Sequence, residues 1–272
     1  MGPGVGYMPV LLAITMILSI MTTYLIAVLR GHVTALFPYI SDTGVVFPER
    51  QIFSLFINLA AFLAAINIFL RYKLVQAFLS SPLPVHPRLV RLSKACLGIG
   101  LISCFGLNLV ANFQEDTLEP VHYFGAMLVF GLGVVYAFMD SAVSFMMCPA
   151  FNGVAICWYR VLCGCCSLAC LVTTMVAAAV SRMQWSNGKV PEGDDRMHWK
   201  PTDPGYTAHL VSTFGEWGLA FAFLCYFFTF ISDFNKMEVF MEARPYVSHL
   251  DLVPTASSEQ PSQPNERTKL IV

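Results

Sequence analysis

Six stretches of this chain stay apolar for about twenty residues at a time: Met8 to Leu29, Ile52 to Leu70, Ala95 to Ala111, Val121 to Met139, Trp158 to Val180 and His209 to Ser232. Four contain no charged residue, and the other two contain one each, Arg160 and Glu216. A hydrocarbon layer ~30 Å thick is crossed by ~20 helical residues, and a backbone in lipid must satisfy its amides within its own segment. The pattern therefore predicts an all-α polytopic membrane protein. Residues 1–235 form a six-transmembrane-helix bundle with short luminal loops, and residues 236–272 form a cytosolic tail. From about Val247 that tail is rich in Ser, Pro, Gln and Glu, a composition expected to be disordered.

Composition agrees with this reading: of 272 residues, 56% are hydrophobic and only 12% charged. The net charge of -1 argues against a nucleic-acid partner, which calls for a basic face. The basic residues bear instead on orientation. With the N-terminus in the cytosol, ten of the sixteen fall on that side: Arg71, Lys73, Arg88, Arg91, Lys94, Arg160, Lys236, Arg244, Arg267 and Lys269. Positive residues concentrate inside, so both termini are expected in the cytosol, although Arg30 directly after the first run votes the other way. Arg71-Tyr72-Lys73 reads as the exit of the second helix, and Trp158-Tyr159-Arg160 as an aromatic and basic collar at the headgroups. None of the nine cysteines lies in a luminal loop, so no disulfide framework is expected. The cluster Cys163-Gly164-Cys165-Cys166 reads as small packing residues, and Cys148 and Cys157, placed in the second cytosolic loop, are candidates for acylation.

Between the first two runs lies a loop with unusual turn chemistry: Pro38, Tyr39, Ser41, Asp42 and Gly44, closing at Pro48 and Glu49. The prolines fix φ and extend the residue before them, while Asp42-Thr43-Gly44 supplies a cap and a permissive backbone. An ordered loop with buried aromatics is the expectation. The last luminal loop, with Trp185, Trp199 and several prolines, is expected to fold back onto the membrane or onto this first loop.

At ~1.5 Å rise per residue, Asn58, Asn108 and Glu216 fall in the luminal third of the bilayer, with Asn112, His122 and His209 just above. Four helices thus supply one polar layer, and an acid within lipid must face the bundle. Two readings stand. The layer pins the helices together, or it senses protons, because burial favours the neutral form of a carboxylic acid and histidine titrates in mildly acidic media. No set of residues has the spacing of a catalytic or metal site, and no cofactor is expected: there is no His-Glu-x-x-His, no Gly-x-Ser-x-Gly and no phosphate-binding glycine loop.

The chain ends Asn265-Glu266-Arg267-Thr268-Lys269-Leu270-Ile271-Val272. Glu266 four positions before Leu270-Ile271 resembles an acidic dileucine sorting signal, which makes a clathrin adaptor the expected partner of the tail. Taken with Pro38 to Gly44, Pro48-Glu49, Arg71-Tyr72-Lys73, Val110-Ala111-Asn112-Phe113-Gln114, His122, Trp199, Pro201, Tyr206, His209, Glu216-Trp217 and Phe228 to Phe234, the chain resembles the damage-regulated autophagy modulator (DRAM) family of six-span membrane proteins. The resemblance implies a non-enzymatic lysosomal or endosomal membrane protein that promotes autophagy through protein partners, with a link to apoptosis. It brings no active site. A transporter or channel built on the polar layer is the first alternative, and a plasma-membrane scaffold for a lipid kinase the second.

Overall fold

The computed structural model describes residues 4–81, 87–188 and 196–240. The tail beyond these, including Glu266, Leu270 and Ile271 and the whole segment from about Val247 expected to be disordered, lies outside the described residues. Six helices are long and apolar enough to cross a membrane: α1 (Tyr7–Arg30), α2 (Glu49–Leu79), α3 (Pro87–Asn112), α4 (Glu115–Met146), α5 (Val154–Asn187) and α6 (Tyr206–Phe234). No strand occurs among the described residues. We call the end carrying the α1–α2 loop the loop end, and the opposite one the tail end.

Neighbours in sequence are neighbours in space, from α1 against α2 through to α5 against α6, and α1 meets α6 to close the ring. Small residues bring the axes together. Ala60 and Ala61 of α2 are fully buried. On α3 and α4, a Cβ on Gly106 would come within 2.8 Å of the Gly125 carbonyl oxygen, so these two backbones touch. Next to that contact α4 widens into a π-turn over Met127–Gly131, and the Ser103 hydroxyl of α3 donates to the Val129 carbonyl there at 3.0 Å. Before this, α4 is bent at Leu118, which leaves helical backbone geometry ahead of Pro120. Pro120 has no N–H to return to the Asp116 carbonyl and its ring crowds the preceding turn, which interrupts the helix here. At the tail end the chain start joins α6, where the Val5 amide donates to the Phe234 carbonyl at 3.2 Å.

Helix ends differ from the hydrophobic runs in an informative way. α2 continues nine residues past Leu70, so Arg71-Tyr72-Lys73 is not a helix exit but part of a helix. α5 starts at Val154, which places Cys157 in a helix, fully buried, rather than in a loop. Arg160 is also fully buried, while Trp158 and Tyr159 are exposed, so the expected headgroup collar consists of aromatics alone. A hydropathy pattern stops at the first charge. The helices do not, because these charges find partners inside the bundle.

Candidate functional site

The α1–α2 loop is built into the bundle. α1 ends at Gly31, whose φ of +71° supplies the left-handed turn that helix termini favour, and the His32 amide caps the Ala27 carbonyl at 2.8 Å. His32 Nδ1 then meets Oε1 of the buried Glu49 at 3.0 Å, stapling the start of α2 to the end of α1. The loop between them lies against α6. The Pro38 carbonyl accepts from Trp217 Nε1 (3.0 Å), the Tyr39 hydroxyl donates to Ser212 Oγ (2.6 Å), and the Ile40 amide donates to Glu216 Oε2 (2.8 Å). Ser212 Oγ donates its own hydrogen bond to the Thr174 carbonyl of α5 at 2.9 Å, so one chain of hydrogen bonds ties the loop to two helices. Thr43 bonds the Ile40 carbonyl and the Thr23 hydroxyl of α1 (2.7 and 3.0 Å). Gly44 is required where it stands, since a Cβ there would lie 2.4 Å from the Phe53 ring.

Burial has an electrostatic consequence here. Asp42 is buried, and loss of water together with the carboxylates of Glu115 and Glu216 pushes its carboxyl well above the ordinary Asp range, against a smaller opposing effect of Arg196. Burial likewise pushes the Tyr39 phenol up, so it stays a hydrogen-bond donor.

The loop after α5 folds onto this one, as its tryptophans led us to expect. The Thr34 amide donates to the Met197 carbonyl at 3.0 Å. Trp199 stacks on His209 (4.3 Å, 11°) and meets Trp185 at a tilt (4.7 Å, 59°), and Tyr39 meets the His209 ring edge-on at 5.2 Å.

The six polar residues singled out in the sequence fall into separate groups and not one network. Asn58, Asn108 and Asn112 join Ser54 in an amide knot between α2 and α3: Asn108 Nδ2 and Asn112 Nδ2 both donate to Asn58 Oδ1 (2.7 and 3.0 Å), while Asn58 Nδ2 and Ser54 Oγ donate to Asn112 Oδ1 (3.0 and 2.9 Å). His122 Nδ1 donates to the Phe113 carbonyl at the end of α3, at 2.8 Å. His209 belongs to the aromatic stack, and Glu216 to the loop. The reason is geometric: depth in the bilayer is shared, but the residues point to different sides of their helices.

Glu216, His122 and Ser41 do share one feature. All three line the loop end of a cavity of about 140 Å³ at the centre of the bundle. Its walls come from α1, α2, α3, α4 and α6, and α5 stands outside them. Between α4 and α6 the wall is aromatic, with Phe130 and Phe223 parallel at 6.4 Å and Phe223 filling the space beside Gly133.

At the tail end the cavity stops at Tyr226 and Tyr136, beyond which lies a group of charges that hydropathy did not reveal. Arg71 of α2 bonds Asp140 (2.8 Å) and Ser144 (2.9 Å) of α4 and Asp233 of α6 (3.1 Å). Arg160 of α5 bonds Ser144 (2.6 Å), Asp233 (2.6 Å) and Thr229 (2.8 Å). The Tyr226 hydroxyl donates to Asp140 at 3.0 Å. Phe230 lies beneath both guanidiniums, at 5.7 and 5.2 Å. Two cations and two anions from four helices are thus buried together with no net charge. Arg71-Tyr72-Lys73 and Phe228 to Phe234 had drawn attention as sequence signatures, but only the fold puts Arg71 and Asp233 in contact.

Among the described residues no group of three or more His, Cys, Asp or Glu side chains is placed to hold a metal ion, and the cysteines are all free. The arrangement locks helices and loops together through polar groups that bond one another, although Glu49 Oε2 and Asp233 Oδ1 have no partner.

No solved structure matches this chain. The DNA damage-regulated autophagy modulator protein 2 of Homo sapiens is 36% identical over 98% of this chain and 96% of its own length. The DNA damage-regulated autophagy modulator protein 1 of Homo sapiens is 36% identical over 87% of this chain and 93% of its own. A more distant relative, modulator of macroautophagy TMEM150B of Danio rerio, is 29% identical over 62% of this chain and 69% of its own. The family described as the Frag1/DRAM/Sfk1/Cwh43P N-terminal domain matches residues 4–237, which is the whole helical bundle. The chain belongs to this family, within its DRAM branch.

Proposed function

We propose that this multi-pass membrane protein modulates autophagy from the endolysosomal membrane, as a non-enzymatic regulator with its loop end in the lumen and both termini in the cytosol. The observation that carries the reading is similarity along nearly the whole chain to proteins named autophagy modulators. Promotion rather than inhibition of autophagy, and a link to cell death, rest on the family resemblance alone.

Three features support the finer points. With Arg71 and Arg160 neutralised by buried aspartates, the bases left at the tail end are Lys73, Arg88, Arg91, Lys94 and Lys236 together with Arg244, Arg267 and Lys269 of the tail, still more than the six of the loop end. Glu266 with Leu270-Ile271 then lies on the side where a clathrin adaptor can bind it. The acid-rich loop end, with Asp42 poised to take up a proton, suits an acidic lumen.

The test is the residence of the tagged parent and of Leu270→Ala/Ile271→Ala, scored together with autophagic flux. Lysosomal residence of the parent, lost to the cell surface in the double variant with a fall in flux, is the expected result. A parent already at the surface overturns the reading and favours the lipid-kinase scaffold. The transporter alternative draws on the central cavity, but that cavity is capped by the loop at one end and by the charge cluster at the other.

A further inference from the structure

Beside the charge cluster, between α2, α3 and α4, lies a second and much smaller void of about 10 Å³. Arg71 of α2, Ser93 of α3 and Tyr136 and Asp140 of α4 line it, and Ile68 and Val75 close part of the remainder. Ser93 and Tyr136 expose 2% and 5% of their surface, and neither hydroxyl has a hydrogen-bond partner in the protein. Ser93 had a local alternative. The buried serines Ser141, Ser144 and Ser167 each return the hydroxyl to the carbonyl four residues back, at 2.6, 2.8 and 2.8 Å. Ser93 makes no such bond.

A hydroxyl taken out of water and given no partner is costly, and protein interiors answer with a protein group or an ordered water. Size and charge select the occupant here. One water needs ~10–15 Å³ and two to four polar partners, and the void is at that scale. Its wall supplies four partners. The hydroxyls of Ser93 and Tyr136 can each donate or accept. Arg71 carries five N–H groups and spends three, on Asp140, Asp233 and Ser144. Asp140 accepts one bond at each oxygen, from Arg71 and from Tyr226, and keeps further lone pairs. A water, with two donors and two acceptors, suits such a mixed wall, whereas a cation would meet Arg71 and an anion would meet Asp140.

We propose that this void is a hydration site, holding one ordered water between Ser93 Oγ, Tyr136 Oη and the paired Arg71 and Asp140. The water ties α3 into the charge cluster. The cluster's own side chains come from α2, α4, α5 and α6, and among the described residues no hydrogen bond joins α3 to them. With the water in place the network spans five of the six helices at the tail end. Tyr136 also borders the central cavity, so its ring divides that apolar space from the water.

The experiment uses the full-length protein in phosphatidylcholine nanodiscs. A short X-ray pulse converts bound water to hydroxyl radicals, which add oxygen to the nearest side chains and are read by mass spectrometry. Tyr136 should be labelled faster than Tyr226, which is as buried and also borders the central cavity but does not line the small void. In Ser93→Val, whose methyl groups fill the void, Tyr136 labelling should fall to the level of Tyr226. Melting temperatures supply the second readout. Ser93→Ala and Tyr136→Phe each take one partner from the water and should each lower the melting temperature by ~2–4 °C. The double variant should lose less than the sum, because the two hydroxyls share one water. Hydroxyls that are merely unpaired behave in the opposite way, since their removal is neutral or stabilising. Either single variant melting at or above the parent, strictly additive losses, or Tyr136 labelled no faster than Tyr226 overturns the proposal.

Discussion

Arg71 and Arg160 expose 2% and 0% of their surface, and Asp140 and Asp233 1% each. In lipid such charges are tolerated only with partners and with their donors filled, and here each guanidinium makes at least three hydrogen bonds. Removing one member is a different matter from removing the group, since the survivor stays buried and uncompensated. Asp233 accepts from both arginines through one oxygen, so Asp233→Asn should cost ~3–5 kcal/mol of stability. Arg71→Met costs a similar amount alone. Asp140→Asn added to Arg71→Met should cost less than the sum of the two single changes, because Asp140 no longer faces a lost partner. Thermal unfolding of the parent, Asp233→Asn, Arg71→Met, Asp140→Asn and the double variant in mild detergent checks this, and strict additivity would show that Arg71 and Asp140 contribute independently.

Between helices, one close approach is made at a glycine with backbone atoms among its neighbours. A Cβ on Gly106 would lie 2.7 Å from the Val129 nitrogen and 2.8 Å from the Gly125 oxygen, and backbone cannot swing aside as a side chain can. Gly106→Ala must therefore push α3 from the π-turn of α4, at ~1–3 kcal/mol. Gly98, on the same helix, has nothing within 4 Å of its Cβ position, so Gly98→Ala should be neutral or stabilise by up to about 1 kcal/mol through helix propensity. Melting temperatures that move in opposite directions would establish the contact; equal shifts would not. Element identity was legible in the sequence because twenty uncharged apolar residues admit few structures other than a spanning helix. Element ends were not: Arg71 and Asp140 look like terminators until the fold, joining residues far apart in sequence, supplies each with the other. The same limit explains the polar layer. Depth can be counted along a helix, so Asn58, Glu216 and His209 were placed at similar heights, but facing depends on helix rotation, and that assigned them to an amide knot, a loop anchor and an aromatic stack.

At the scale of the whole molecule the two ends are built on opposite electrostatic plans. The tail end balances two cations with two anions, whereas the loop end gathers Asp42 and Glu216 on and under the loop, with Glu115 near both. Burial and these carboxylates raise the Asp42 carboxyl above its unfolded value, so the folded loop binds a proton more readily than the unfolded chain does. By linkage, stability is gained as pH falls through the raised folded value, and the gain is complete once pH is below the ordinary Asp range. Groups facing the loop modulate this. Arg196 and the Tyr39 backbone amide favour the charged form of Asp42, Arg182 pairs with Glu115 at 3.2 Å, and His32 against Glu49 and His209 under Trp199 pack against the same end of the bundle. Deuterium exchange of residues 37–48, corrected for the intrinsic pH dependence of amide exchange, should show stronger protection at pH 5 than at pH 7. Residues around the tail-end charge cluster should show no such gain. Asp42→Asn removes the titrating group while keeping a side-chain oxygen for Tyr39, so it should be protected at pH 7 about as well as the parent is at pH 5, and should lose most of the difference between the two conditions. Protection in the parent that weakens on acidification would mean that Asp42 does not govern the loop, which would then be an element that acid loosens instead of one that acid locks.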